Sequence, residues 1–148
     1  MRLEDLGLIG NCQFSALVEN TGAIVWCCLP RFDSEPLFST LLDEGEGGAF
    51  LVGAADGRSG KQRYLENTNV LETTFESADG SFRVLDFAPR FLLHGRYFRP
   101  TKIFRIVEPL HGTPCIRARC APRLGWAKQI PGEIQGSHHI RYEGYSAQ

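Results

Sequence analysis

The chain has 148 residues, 43% of them hydrophobic and 22% charged, with a formal net charge of -1. These values describe one soluble globular domain, and a chain of this length removes about 68 to 70 per cent of its unfolded surface from water on folding. Disorder is excluded as the default state, and the near-neutral balance gives nucleic acid or an anionic membrane no broad electrostatic purchase.

Glu4 and Asp5 interrupt the start where a signal peptide needs an unbroken apolar segment, and no later run reaches the roughly eighteen apolar residues of a membrane span. The cytoplasm is therefore the expected compartment. Beyond this point, alternating apolar and polar residues broken by Gly, Asn, Asp and Pro predict strands almost throughout. Gln13 to Val18 and Ala23 to Leu29 read as a pair joined through Asn20-Thr21-Gly22. On the second strand Ile24, Trp26 and Cys28 are expected on one face and Val25, Cys27 and Leu29 on the other. Both faces are apolar, so the strand is read as central, with Trp26 in the core. Proline-braced residues follow, Pro30-Arg31-Phe32-Asp33-Ser34-Glu35-Pro36. A short helix is expected from Pro36 to Asp43, capped by Ser34.

Strands are next expected over Gly48 to Ala54 and Lys61 to Glu66. A hairpin follows in VLETTFESADGSFRVLDFAP, where Asp79-Gly80 suits a two-residue type I′ turn. That turn would oppose Glu76 to Arg83, Phe75 to Val84 and Thr73 to Asp86. A three-residue turn would instead set Glu72 against Asp86, two like charges. Asp86 falls on an apolar face, where an ionised carboxylate needs a partner such as an arginine. Thr101 to Pro109, Pro114 to Ala121 and His138 to Tyr142 complete the predicted strands. Eight or nine short strands and one helix define an all-β fold, an antiparallel β-sandwich.

Candidate chemistry is sparse. The glycine runs at 45 to 48 and 57 to 60 have no P-loop Lys-Ser/Thr pair and read as turns. Cys115 and Cys120 fall on opposite faces of a strand, as do adjacent His138 and His139, so neither pair converges on a metal. No cofactor is called for. The five cysteines are an odd number without the spacing of a small secreted domain, and are read as free thiols. Ser34 has no neighbouring histidine to activate it. Glycoside hydrolysis needs two carboxylates, and Asp33, Glu35, Asp43, Glu72, Asp86 and Glu108 are available, but spacing in sequence fixes no distance among them. In the proline-braced loop Arg31 is expected to bind a carboxylate, Asp33 being nearest, while Phe32 tucks into the core. A structural clamp and a ligand-facing loop both fit those residues. Trp126 stands in a loop where a ring could stack on a sugar.

Taken together, DLGLIGNCQFSALVENTGAIVWCCLPRFDSEPLFSTLLD, RYLENTNVLETTF and VLDFAPR resemble the N-terminal β-sandwich domain of glycoside hydrolase family 15 proteins, the bacterial and archaeal glucoamylase and trehalase-like enzymes. The resemblance runs from about Glu4 to Leu124. It implies a large, supersandwich-like β domain, of which 148 residues supply a part, set before an (α/α)6 barrel that carries the two glutamates of an inverting reaction. Residues 1–148 are thus expected to form a non-catalytic accessory domain, inactive alone, with the downstream barrel as partner and an α-glucoside or oligosaccharide as the parent enzyme's substrate. Arg31 and Asp33 are ligand-binding candidates at the rim of that active site, and Trp126 is a ligand-binding candidate for stacking on a sugar. A carbohydrate-binding module and a domain that self-associates through open sheet edges are the alternatives. The chain departs from the family pattern at Val25, where an acid is usual, and at Glu35, where a proline is usual.

Overall fold

A computed structural model describes residues 2–144, so the first and the last four residues of the expected domain lie outside the described part. After a 3-10 turn at Leu3–Asp5 come β1 (Leu6–Gly10), β2 (Ser15–Glu19), β3 (Ala23–Cys28), β4 (Pro36–Phe38), β5 (Ala49–Ala54), β6 (Lys61–Tyr64) and β7 (Leu71–Ser77). Then follow β8 (Gly80–Phe87), β9 (Phe91–Leu93), β10 (Arg96–Phe98), β11 (Phe104–Gly112), β12 (Ile116–Ala121), β13 (Gly132–Gln135) and β14 (Ile140–Glu143). Every strand pairing is antiparallel. One sheet runs β1-β2-β3-β5-β12 with β4 also on β3, and the other runs β11-β8-β7-β6. Two hairpins, β9–β10 and β13–β14, complete the all-β fold.

The core lies between the two sheets. Ile9, Ala16, Val18, Ile24, Cys27 and Phe38 of the larger sheet close on Leu71 of the smaller one, and Val52 and Ala54 meet Phe75, Phe82 and Val84. Close approach depends on Gly7, where a Cβ would fall 2.4 Å from a Leu71 methyl. It depends also on Gly22 (φ 85°), where a Cβ would meet the Val52 carbonyl. At one flank the Tyr64 hydroxyl on β6 accepts from the Leu8 N–H (2.8 Å) and donates to the Leu8 carbonyl (2.9 Å), tying the two edges together. Near the other, Arg105 of β11 bridges the layers, binding Asp86 while donating to the Phe50 and Gly22 carbonyls at 2.6 Å each.

Three expectations need correction. No helix forms over Pro36 to Asp43, because Pro36 and Phe38 pair with Cys28 and Cys27 and are buried by doing so. Tertiary pairing outweighs the local helix signal, and the Ser34 hydroxyl accepts from the Arg31 N–H instead of capping. The long hairpin is shifted by two residues: Ser77 opposes Gly80, Phe75 opposes Phe82 and Thr73 opposes Val84, so Ala78-Asp79 make the turn. Neither has positive φ, which rules out type I′ there. An even shift keeps each side chain on its expected face. Finally, Leu17 pairs with Trp26 and Val18 with Ile24, leaving Val25 as an extra, bulged residue. The bulge turns Cys27 into the same core as Ile24 and sends Trp26 outward, where it is only half-buried.

Candidate functional site

The loop after β3 is folded on itself. The Ser34 N–H donates to the Arg31 carbonyl (3.2 Å) while the Arg31 N–H donates to the Ser34 hydroxyl (3.1 Å). This turn sets the Arg31 guanidinium against Asp33 in a fork, Nε to Oδ1 3.0 Å and Nη2 to Oδ2 2.8 Å. Both side chains stay about two-thirds exposed, at 67% and 69%. Phe32, expected in the core, is 58% exposed instead, because the turn projects it away from the sheet. Arg31, Phe32 and Asp33 line one side of an open hollow of about 450 Å³, and Cys12, Gln13 and Arg99 line the other. Gln13 holds the loop's base through the Pro30 carbonyl and Thr101, at 3.4 and 3.3 Å.

Trp126 sits on a second loop. Backbone bonds between Leu124 and Gln129 close it, at 2.8 and 3.3 Å, and the Arg123 N–H ties it to the Leu37 carbonyl of β4 at 3.0 Å. Gly125 (φ 59°) lies so near Glu35 that a Cβ would fall 2.1 Å from its carboxylate. Lys128 is paired with Asp43. Thus anchored, Trp126 is 61% exposed, with its ring centroid 6.3 Å from that of Trp26 at 47°. The structure therefore joins Arg31 to Asp33 but places Trp126 with Trp26 and Glu35, outside the hollow's lining. Sequence reasoning missed Trp26, Gln13 and Arg99; only the bulge at Val25 would have turned Trp26 outward.

Five of the six available carboxylates are engaged in ion pairs, and two of them, Glu72 and Glu108, share Arg83. Asp33 is held by Arg31, Asp43 by Lys128, Asp86 by Arg105, Glu72 by Arg63 and Arg83, and Glu108 by Arg83, while Glu35 lies against Gly125. The hydrogen bond from Lys128, aided by the Glu46 and Gly45 N–H groups, holds Asp43 below the usual carboxylate range. Arg63 first, and Arg83 with it, hold Glu72 below its ordinary value. Both shifts run opposite to what a general acid requires. Burial pushes the Cys27 thiol up to about 12, with neighbouring Cys28 adding to the shift, so this thiol stays protonated and inert. Among the described residues no three His, Cys, Asp or Glu side chains stand close enough together to hold a metal ion. All five cysteines are unpaired. No helix among the described residues is long and apolar enough to cross a membrane.

The family described as trehalase-like, N-terminal matches residues 1–141. Trehalase 1 of Sulfolobus acidocaldarius is 44% identical over 87 residues, which is 59% of this chain and 15% of that protein. A trehalase of Thermoplasma volcanium is 41% identical over 86 residues, 56% of this chain and 14% of its own. A trehalase of Mycobacterium tuberculosis is 27% identical over 156 residues, covering 90% of this chain and 22% of its own. No solved structure matches. The fold that these sheets define is an all-β antiparallel sandwich. The chain belongs to the trehalase-like N-terminal domain family, and it spans about a fifth or less of the curated relatives it matches.

Proposed function

We propose that this domain is the non-catalytic N-terminal module of a trehalase-like glycoside hydrolase. The family match over residues 1–141 carries the reading, since the aligned relatives are trehalases several times longer than the matched stretch. The ion-paired carboxylates support it: Asp43 and Glu72 are biased toward the charged form, opposite to what a general acid needs. In this reading the parent is an inverting, glucoamylase-like enzyme of glycoside hydrolase family 15. Its two glutamates belong to an (α/α)6 barrel partnered by the sandwich. Arg31 and Asp33, paired at one side of the hollow, are the residues offered to the barrel's rim. The unpaired thiols, with Cys27 and Cys28 adjacent and unlinked, support a reducing, cytoplasmic location.

The test is to incubate the purified 148-residue chain with trehalose, maltose and maltooligosaccharides and measure released glucose. No turnover above blank is expected. Hydrolysis that disappears when one of the six carboxylates is replaced by its amide would refute the reading.

One observation favours a second role. Trp126 and Trp26 form a tilted aromatic pair with one ring well exposed, the kind of surface on which a sugar ring stacks. Titrating maltooligosaccharides against tryptophan fluorescence tests it: a saturable change lost in Trp126→Ala supports sugar binding, and a flat response removes it.

A further inference from the structure

Of the six carboxylates, Glu35 is the exception: among the described residues no cation lies within ion-pair reach of it. The residue is exposed, yet its place is fixed from both sides. Pro36, wholly buried where it pairs with Cys28, holds the chain after it, and the bonds between Arg31 and Ser34 hold the chain before it. The carboxylate rests against Gly125 (φ 59°), where a Cβ would fall 2.1 Å from one oxygen and 3.3 Å from the other. Only glycine leaves it that seat. The next residue is Trp126.

The two indoles do not make a flat platform. Their planes meet at 47° with centroids 6.3 Å apart, and Trp26 is half-buried whereas Trp126 is 61% exposed. One ring is thus open to a ligand and the other backs it at a slant, which suits a single sugar ring and not a row of them. A free carboxylate beside an open indole matches both sides of pyranose chemistry. The C–H face of the sugar covers the aromatic ring, and hydroxyls at its rim donate to an acceptor with two oxygens and no proton of its own. A hydrocarbon would strip water from Glu35 and return no donor. An anionic sugar would meet a like charge.

We propose that Trp126 and Glu35 form a subsite for one neutral pyranose, with Trp126 stacking on the ring and Glu35 accepting from two adjacent hydroxyls. The inference rests on the sugar-binding reading of the tryptophan pair and names the residue that selects among its ligands. Glu35 favours a sugar whose vicinal hydroxyls are free over one in which they are methylated, and a neutral sugar over a uronic acid. Arg31 and Asp33 take no part, since they bind one another and Trp126 lies outside the hollow they line. The seat is built before any ligand arrives: Gly125 receives the carboxylate, and the ion pair between Lys128 and Asp43 closes the loop, so little ordering is left for binding to supply.

Maltotetraose is the probe, titrated against the full 148-residue chain while tryptophan fluorescence is followed. A saturable change with one site per chain is expected, lost in Trp126→Ala and weakened about tenfold or more in Glu35→Gln, because hydrogen bonds to a charged acceptor are the stronger kind. Circular dichroism and the denaturation midpoint of Glu35→Gln should match wild type, since the carboxylate makes no ion pair. Should that variant misfold, the wild-type chain decides the matter alone: maltotetraose with its hydroxyls methylated should bind about tenfold more weakly than the free sugar. Binding that Trp126→Ala abolishes but Glu35→Gln leaves unchanged, or equal affinity for the free and methylated sugars, would overturn this inference and leave the stacking role standing. A flat wild-type titration would remove both.

Discussion

Arg105 of β11 meets Asp86 of β8 as a fork, Nε to Oδ1 2.7 Å and Nη2 to Oδ2 3.1 Å, with the carboxylate wholly shielded from water and the guanidinium 4% exposed. Because the same guanidinium also donates to the Phe50 and Gly22 carbonyls and lies 4.9 Å over the Phe50 ring, one side chain joins both sheets. Removing one partner of such a pair leaves a charge buried without compensation. Arg105→Met should therefore lower unfolding free energy by about 3–5 kcal/mol, measured by chemical denaturation. Adding Asp86→Leu should recover part of that loss. A single variant as stable as wild type would show the pair to be idle.

Glu72 links the sandwich to pH. Its folded pKa lies below the unfolded value, held there chiefly by Arg63. Its contribution is complete above the unfolded value of about 4.3 and is lost as pH falls through the lower folded one. Denaturation midpoints followed from pH 7 to pH 3 should fall below about pH 4.3, and Glu72→Gln should flatten part of that fall. Asp43 is shifted in the same direction, so some dependence remains in the variant.

The thiols should separate by burial. Cys12 and Cys115 are exposed while Cys27 and Cys28 are buried. A thiol-specific chromophore should label the first two in the native protein and Cys27 and Cys28 only upon unfolding. For Cys27, raised to about 12, the sign is opposite to that of Glu72. Its stabilising share is complete below the unfolded value of about 8.5 and declines as pH rises toward 12. Rapid native labelling of Cys27 would contradict its burial.

Arg31→Ala and Asp33→Ala should leave the denaturation midpoint where wild type has it, since this pair is two-thirds exposed and screened by solvent. In a parent enzyme that presents this loop to its active site, the same changes should raise KM with little effect on kcat. A stability loss comparable to that of Arg105→Met would make the loop a structural clamp instead.

Features of composition and period were legible in sequence; features set by one extra residue were not. The all-β fold follows from alternation and turn residues, and the need of Asp86 for an arginine follows from its apolar face. Arg105 could not be named, because partner choice depends on the register between β8 and β11. Val25 is as apolar as its neighbours, so nothing marks it as the bulge that turns Trp26 outward. Glycine at 80 made Asp79-Gly80 an attractive turn, yet Gly80 is needed inside the ladder, where a Cβ would meet the His111 carbonyl at 2.3 Å. The fork between Arg31 and Asp33 was readable from their separation alone. The place of Trp126 was not, since it rests on Glu35, Asp43 and Leu37, far away in the chain.

The grip of Tyr64 on Leu8 seals one border of the sandwich. Both polar backbone groups of Leu8 are taken, and Asn69 donates to the Gly10 carbonyl at 2.7 Å. A phenol thus does for β1 what a further strand would do, occupying groups that a passing chain would otherwise find open.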